Sequence, residues 1–180
     1  MIDMSATLTM PVGPRDHTQG PDDAPVTLVE YGDYECPSCG RAYPMIKAVQ
    51  QQMGDQLRFA YRNFPLREIH PHAQHAAEAA EAAGAQGKFW PMHDTLFEHQ
   101  QALTDQDLLN YAAGLDLDVD RFAQELEDHT YADRVREDFM SGIRSGVNGT
   151  PTFFINGGRY DGSFTADSLV AALIEAAGER

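Results

Sequence analysis

A chain of 180 residues, 42% of them hydrophobic, is long enough to bury one ordinary core. Its two cysteines sit three positions apart, so they cannot tie distant segments together and a disulfide scaffold is excluded. Thirteen basic against 28 acidic side chains give a formal net charge of −15, which repels phosphate backbones and anionic lipid and argues against nucleic acid or a membrane as partner.

Residues 1 to 24, rich in Pro, Gly and Asp and without a period, read as an extended arm closing on the turn Gly20-Pro21-Asp22-Asp23. Met1 to Gly20 has neither the basic nor the continuously apolar region of a secretion signal. The sequence as given is therefore expected to be soluble and cytoplasmic, or periplasmic if a signal was removed. Val26-Thr27-Leu28-Val29 reads as a buried strand, followed by Glu30-Tyr31-Gly32-Asp33-Tyr34-Glu35-Cys36-Pro37-Ser38-Cys39, which holds both cysteines. After Cys39 a helical pattern runs to about Met53, with Met45, Ile46 and Val49 for an inner face, Pro44 inside it as a kink, and Gly54 as the stop. The segment 57–64 reads as a second strand, parallel to the first because a helix joins them.

From about His72 to Gly146 strand signal almost vanishes. The alanine-rich run 76–83 has very high helix propensity, and Phe89, Trp90, Met92, His93, Leu96 and Phe97 recur at helical spacing as core. Thr104 and Asp118 look like helix caps, a further helix is expected from about Tyr131 to Arg144, and the acidic stretch from Asp116 to Asp138 reads as a solvated helical face. Thr152-Phe153-Phe154-Ile155 returns to strand chemistry, turns at Asn156-Gly157 and pairs back through Arg159 and Tyr160. A last helix from Thr165 to Ala177 would turn Leu169, Val170, Leu173 and Ile174 inward.

A strand that ends at a Cys-x-x-Cys and passes into a helix places the first thiol at the helix N-terminus, where unsatisfied N–H groups and the helix dipole favour an anion. Such positions lower a thiol pKa from about 8.5 to between ~3.5 and ~7.5. Cys36 is thus set up as the thiolate that attacks a disulfide, and Cys39, one turn on, can resolve the mixed disulfide. A half zinc site is the competing reading, but zinc takes four ligands and no second cysteine pair exists. His70, His72 and His75 are close in sequence, yet spacing places no acidic or thiol partner beside them, so no metal is expected. Glu30 shares strand parity with Val26 and Leu28, which points its carboxyl inward, where desolvation would raise its pKa and fit it to relay a proton for Cys39. The bland alternative is a carboxylate at a strand end reaching water.

The element order β-α-β, helices, β-β-α, with Cys-x-x-Cys at the first strand-helix junction, resembles the thioredoxin fold, and the helical insertion at about 72–146 is similar to the DsbA-like branch. The resemblance covers residues 25–180 and is carried by Val29 to Gly40, by His70-Pro71-His72-Ala73 and by Gly149-Thr150-Pro151-Thr152-Phe153-Phe154-Ile155-Asn156-Gly157. Asp16-His17, Gly20-Pro21 and Ala24-Pro25-Val26 are similar to the lead-in of DsbA-like proteins without a signal, and of the thioredoxin-like domain appended to some bacterial sodium/proton antiporters.

The resemblance implies a protein-disulfide oxidoreductase with no cofactor, acting on protein thiols and disulfides or on small thiols, and recycled by a reductase or an oxidase. It makes Cys36 the attacking and Cys39 the buried resolving thiol, Pro37 and Ser38 the dipeptide that tunes them, and Thr150-Pro151 a cis-proline loop that binds extended substrate. Glu30 takes the place of the acid that thioredoxin-like proteins carry six residues before the first cysteine. The motif lacks the histidine of strongly oxidising members, Glu35 opposes ionisation of Cys36, and Thr150 is similar to isomerase and reductase members; these departures leave the direction of electron flow open. Two other classes stay open on the residues: a polypeptide-binding, chaperone-like module whose thiols only sense redox state, and a metal module using Cys36, Cys39 and a histidine.

Overall fold

The computed structural model describes residues 1–179, arranged as two compact units. One comprises residues 1–32, 41–62 and 140 onward; the other comprises residues 33–40 and 63–139.

The first unit carries the strands β1 (Ile2–Thr7), β2 (His17–Gln19), β3 (Val26–Gly32), β4 (Leu57–Asn63), β5 (Thr152–Ile155) and β6 (Gly158–Tyr160), in one sheet of order β1-β6-β5-β3-β4-β2. β3 lies between β5 and β4, and six of its seven residues are buried, as expected for a central strand covered on both faces. It pairs antiparallel with β5, Leu28 opposite Ile155 and Glu30 opposite Phe153. The β5–β6 hairpin turns at Asn156 and Gly157, whose φ angles of 47° and 88° are both left-handed, as a two-residue turn matching strand twist requires. The C-terminal helix packs against β3. It spans Ala166–Gly178, and its inner face is Leu169, Ala172, Leu173 and Ala176. Ile174 instead stays 59% exposed and Val170 is half-buried, so the apolar stripe is turned from its expected setting and two alanines complete it.

The arm at 1–24 contains both edge strands. β1 pairs with β6 and β2 with β4, each antiparallel. Neither showed in the sequence, because β2 is too short for a period and an edge strand such as β1, with mixed burial, has no one-sided apolar pattern to display.

Helix α1 (Pro37–Met53) begins in the second unit and continues in the first, with Pro44 inside it. Cys39, Ala42, Ile46, Val49 and Met53 are its buried residues, and Met45 is half-buried. The second unit otherwise consists of α2 (Ala73–Ala85), α3 (Phe89–Glu98), α4 (Asp105–Gly114), α5 (Val119–Glu127) and the start of α6 (Ala132–Arg144). α2 contacts α3, α4 and α5, and small alanine side chains let it be buried nearly all round. Thr104 closes a capping box with Asp107, and Asp118 Oδ1 accepts from the Arg121 N–H at 3.0 Å, so both expected caps are present. Helix 166–178 is numbered α7.

Two expectations for this unit need correction. Trp90 is half-buried, set edge-on to Phe89 and His93, whereas Phe89 and Phe97 are core. Asp138 is not on a solvated face: it is 5% exposed and accepts from the Asn63 backbone N–H (2.9 Å) and side-chain amide (3.0 Å), with Arg134 also on the carboxylate. Burial pushes the Asp138 carboxyl above the usual carboxylate range, Arg134 opposing and Glu81 adding to the shift. Hydrogen bonds to a strand end thus explain one acid that charge patterning assigned to solvent.

Candidate functional site

Cys36, Pro37, Ser38 and Cys39 lie in the second unit; Glu30, Thr150 and Pro151 lie in the first. Cys36 directly precedes α1, and Pro37 occupies the first helical position, where a missing N–H costs nothing. The Gly40 N–H donates to the Cys36 carbonyl at 3.0 Å as the helix starts. Both cysteines are buried, Cys36 6% exposed and Cys39 fully enclosed, one helical turn apart.

The turn before Cys36 is organised by Asp33, which is 2% exposed. Its Oδ1 accepts from the N–H groups of Glu35 (2.8 Å) and Cys36 (3.2 Å), and its backbone carbonyl accepts a second bond from Cys36 N (3.1 Å). Its Oδ2 accepts from Leu66 N (2.9 Å) and lies 2.7 Å from His70 Nδ1. One carboxylate therefore pins the cysteine turn to the loop at 66–70. From the other side Gln100 donates through Nε2 to the carbonyls of Tyr34 and Cys36, both at 2.9 Å. It lies over Gly40, where a Cβ would come within 2.0 Å of its Oε1. The Tyr34 hydroxyl shares a 2.9 Å hydrogen bond with His93 Nδ1, and its ring packs on Phe97 at 4.8 Å.

Glu35 Oε1 accepts from the backbone N–H of His72 at 2.9 Å, at the N-terminus of α2. The positive end of that helix holds the charge that would otherwise oppose a thiolate at Cys36. The histidines at 70 and 72 thus serve the turn: one through its ring on Asp33, the other through its backbone on Glu35.

In the first unit Glu30 is 3% exposed, so the reading of a carboxylate reaching water is set aside. The Thr150–Pro151 peptide bond is cis, and Pro151 is buried at the start of β5. The Thr152 hydroxyl donates to the Gly149 carbonyl at 2.7 Å across that turn. Arg62, on β4 and 2% exposed, donates to both oxygens of Asp16 (2.8 and 3.1 Å), to the Tyr31 hydroxyl (2.9 Å) and to the Pro11 carbonyl (3.3 Å). Burial disfavours the Arg62 charge, but Asp16 and Tyr31 together outweigh it and hold the guanidinium above its ordinary range.

Asp33 and Gln100 went unnoticed in the sequence. An aspartate two and three residues before the N–H groups it accepts is a recognisable turn signal. Gln100 gave no local signal, since its partners lie more than sixty residues upstream. Replacing Asp33 with Ala strands the part-buried backbone donors of Glu35 and Leu66, while Cys36 N keeps the Asp33 carbonyl; at the low end of ~1–3 kcal/mol each, a loss of about 2 kcal/mol is expected. For a chain of this size that lowers Tm by about 5 °C, and Asp33→Asn should lose less; a thermal melt of both variants checks it.

Among the described residues no helix is long and apolar enough to cross a membrane. A family profile described as Thioredoxin matches residues 13–175. The chain is 52% identical over 170 residues to the Na(+)/H(+) antiporter NhaA 1 of Salinispora arenicola, covering 94% of this chain and 26% of that protein. It is 47% identical over 170 residues to NhaA 1 of a Mycobacterium species, covering 93% of this chain and 28% of the relative. It therefore spans about a quarter of the length of these curated relatives. Among solved structures it is similar to oxidised BdbD from Bacillus subtilis, at 25% identity and a TM-score of 0.85, covering 96% of this chain and 98% of that one. A thioredoxin-like oxidoreductase from Silicibacter pomeroyi, 24% identical, shares the fold with a TM-score of 0.81 over 93% of this chain and 95% of its own. With strands, hairpin and inserted helices in the expected order and the profile spanning most of the sequence, the chain belongs to the thioredoxin family, with a DsbA-like fold.

Proposed function

We propose that the chain is a thiol-disulfide oxidoreductase working through Cys36-Pro37-Ser38-Cys39 on protein or small-thiol substrates, within a single DsbA-like domain over residues 25–180. The observation that carries this reading is the placement of Cys36 immediately before α1, its N–H held by Asp33, with Cys39 wholly buried one turn later. A helix N-terminus favours the thiolate of Cys36, and burial disfavours that of Cys39 until a mixed disulfide needs resolving.

In the reducing direction the Cys36 thiolate attacks one sulfur of a substrate disulfide, and the other sulfur leaves as a thiolate. Cys39 then loses its proton and attacks the Cys36 sulfur, releasing the second substrate thiolate. The chain ends with a Cys36–Cys39 disulfide and the substrate gains two electrons; the oxidising direction is the reverse. Buried Glu30 is assigned as acceptor of the Cys39 proton, and Thr150 and Pro151 as substrate-binding residues, both by family resemblance. A partner reductase or oxidase resets the pair. That BdbD, similar at 25% identity, is described in an oxidised form is in keeping with this class of chemistry.

The test is the reduction potential of the pair, read by equilibrating the protein against defined glutathione ratios and counting thiols. A working pair should fall between about −270 mV, typical of thioredoxin, and about −120 mV, that of DsbA, each ~30 mV being worth ~1.4 kcal/mol. A protein that forms no disulfide under oxidising conditions rules the proposal out.

A further inference from the structure

His75 has partners that differ from those of His70 and His72. It stands on α2 one turn before Glu78, so the two side chains share a helix face. Across from them is His129, in the turn between α5 and α6, held at the left-handed φ of 51°. The rings of His75 and His129 are 5.5 Å apart, and His129 Nδ1 lies 3.1 Å from Glu78 Oε1. One ligand atom from each of the three residues lies within 4.8 Å of the other two.

Glu78 is the unusual member. It is 2% exposed on a helix whose other buried residues are nearly all alanine, and among the described residues its second oxygen accepts a glutamine amide, from Gln74 at 3.1 Å. A buried carboxylate is costly unless strongly compensated. His75 Nδ1 lies 2.8 Å from Asp105 Oδ1, at the start of α4, which is how a second carboxylate fixes an imidazole and leaves its Nε2 available to ligate. The cluster opens on a cavity of about 310 Å³ bordered also by Glu127, with room for a water ligand.

We infer that His75, Glu78 and His129 form a binding site for a divalent transition metal of the Zn²⁺ class. Two imidazoles and a carboxylate with an open fourth position are donors that zinc, cobalt and nickel accept, whereas Ca²⁺ and Mg²⁺ require an all-oxygen shell. Bonds of about 2.0–2.2 Å need the ligand atoms somewhat closer than they stand. The histidine side chains, 46% and 54% exposed, are free to make that movement while Glu78 stays fixed. Bound metal would clamp α2 to the α5–α6 turn.

The experiment uses untagged full chain with Cys36 and Cys39 both changed to Ser, so that no thiol competes for metal. Zn²⁺ is titrated calorimetrically and Co²⁺ by its visible absorption. One equivalent should bind, with the cobalt spectrum of a nitrogen- and oxygen-ligated ion, and Mg²⁺ at the same concentration should not displace it. Adding His129→Ala, which alters an exposed side chain, should weaken Zn²⁺ at least tenfold, and His75→Ala likewise, while His99→Ala should leave affinity unchanged. The site is refuted if no stoichiometric zinc binds, or if His129→Ala and His75→Ala both bind as tightly as the parent. The readout does not depend on disulfide exchange, so the two proposals stand or fall separately.

Discussion

Changing Cys36 to Ser should abolish catalysed disulfide exchange, returning the reduction of a protein disulfide by dithiothreitol to its uncatalysed rate. A serine hydroxyl is not ionised at neutral pH and cannot form the S–S bond with substrate that begins the cycle. Cys39→Ser should fail differently. Cys36 still attacks, but the mixed disulfide has no internal nucleophile to resolve it, so a covalent adduct with substrate should accumulate and be visible as a mass increase reversed by dithiothreitol. The turbidity of insulin under reduction should fall to the uncatalysed rate with both variants, and the mass of the adduct separates the two. Turnover that survives Cys36→Ser at the parent rate would exclude Cys36 as nucleophile.

Asp16→Ala should be the most destabilising single change outside the apolar core, costing about 3–5 kcal/mol, the penalty of leaving a buried charge without its counter-ion. Arg62 is enclosed by the sheet and retains its charge, because Asp16 grips both Nε and Nη2. Without that carboxylate the guanidinium keeps neutral oxygen acceptors, the Tyr31 hydroxyl and the Pro11 carbonyl, and the ring of Tyr31 at 5.7 Å. The Tyr31 hydroxyl is itself engaged with the Ser141 hydroxyl at 2.7 Å, so the disturbance reaches α6. Asp16 also accepts from the Gly13 N–H at 2.9 Å, so the arm loses an anchor of its own. Urea denaturation should show the midpoint falling with an unchanged slope. The double variant Asp16→Ala/Arg62→Met should recover most of the loss, because it removes the stranded charge together with its partner. If the double variant is no more stable than Asp16→Ala, the loss comes from the arm and not from the charge.

The strands and helices that bury a continuous or periodic apolar face were legible in the sequence: β3 from Val26, Leu28 and Val29, the hairpin from Asn156-Gly157, and the α4 and α5 starts from Thr104 and Asp118. So was the cysteine pair at the strand-helix junction. What escaped has a common physical cause. β1 and β2 gain their order from partners supplied by β6 and β4, and nothing local marks them. Gln100 and Asp138 act on backbone groups far away in sequence, so their own neighbours carry no trace of the role. His75 was grouped with His70 and His72 by proximity along the chain, although helix geometry gives it Glu78 and folding gives it His129.

Both borders of the sheet come from the first twenty residues, and this bears on the order in which the molecule assembles. β2 meets its neighbour once β4 has been made, but Ile2 and Asp3 lie against Tyr160 and Arg159, so β1 waits until residue 160 has left the ribosome. During that interval β1 has no template, and closure of the long loop between Ile2 and Tyr160 must precede its hydrogen bonds. Its docking belongs to the late steps of folding. A nascent chain halted short of β6 would carry a dangling strand, open to proteases and to adventitious pairing with other extended polypeptides.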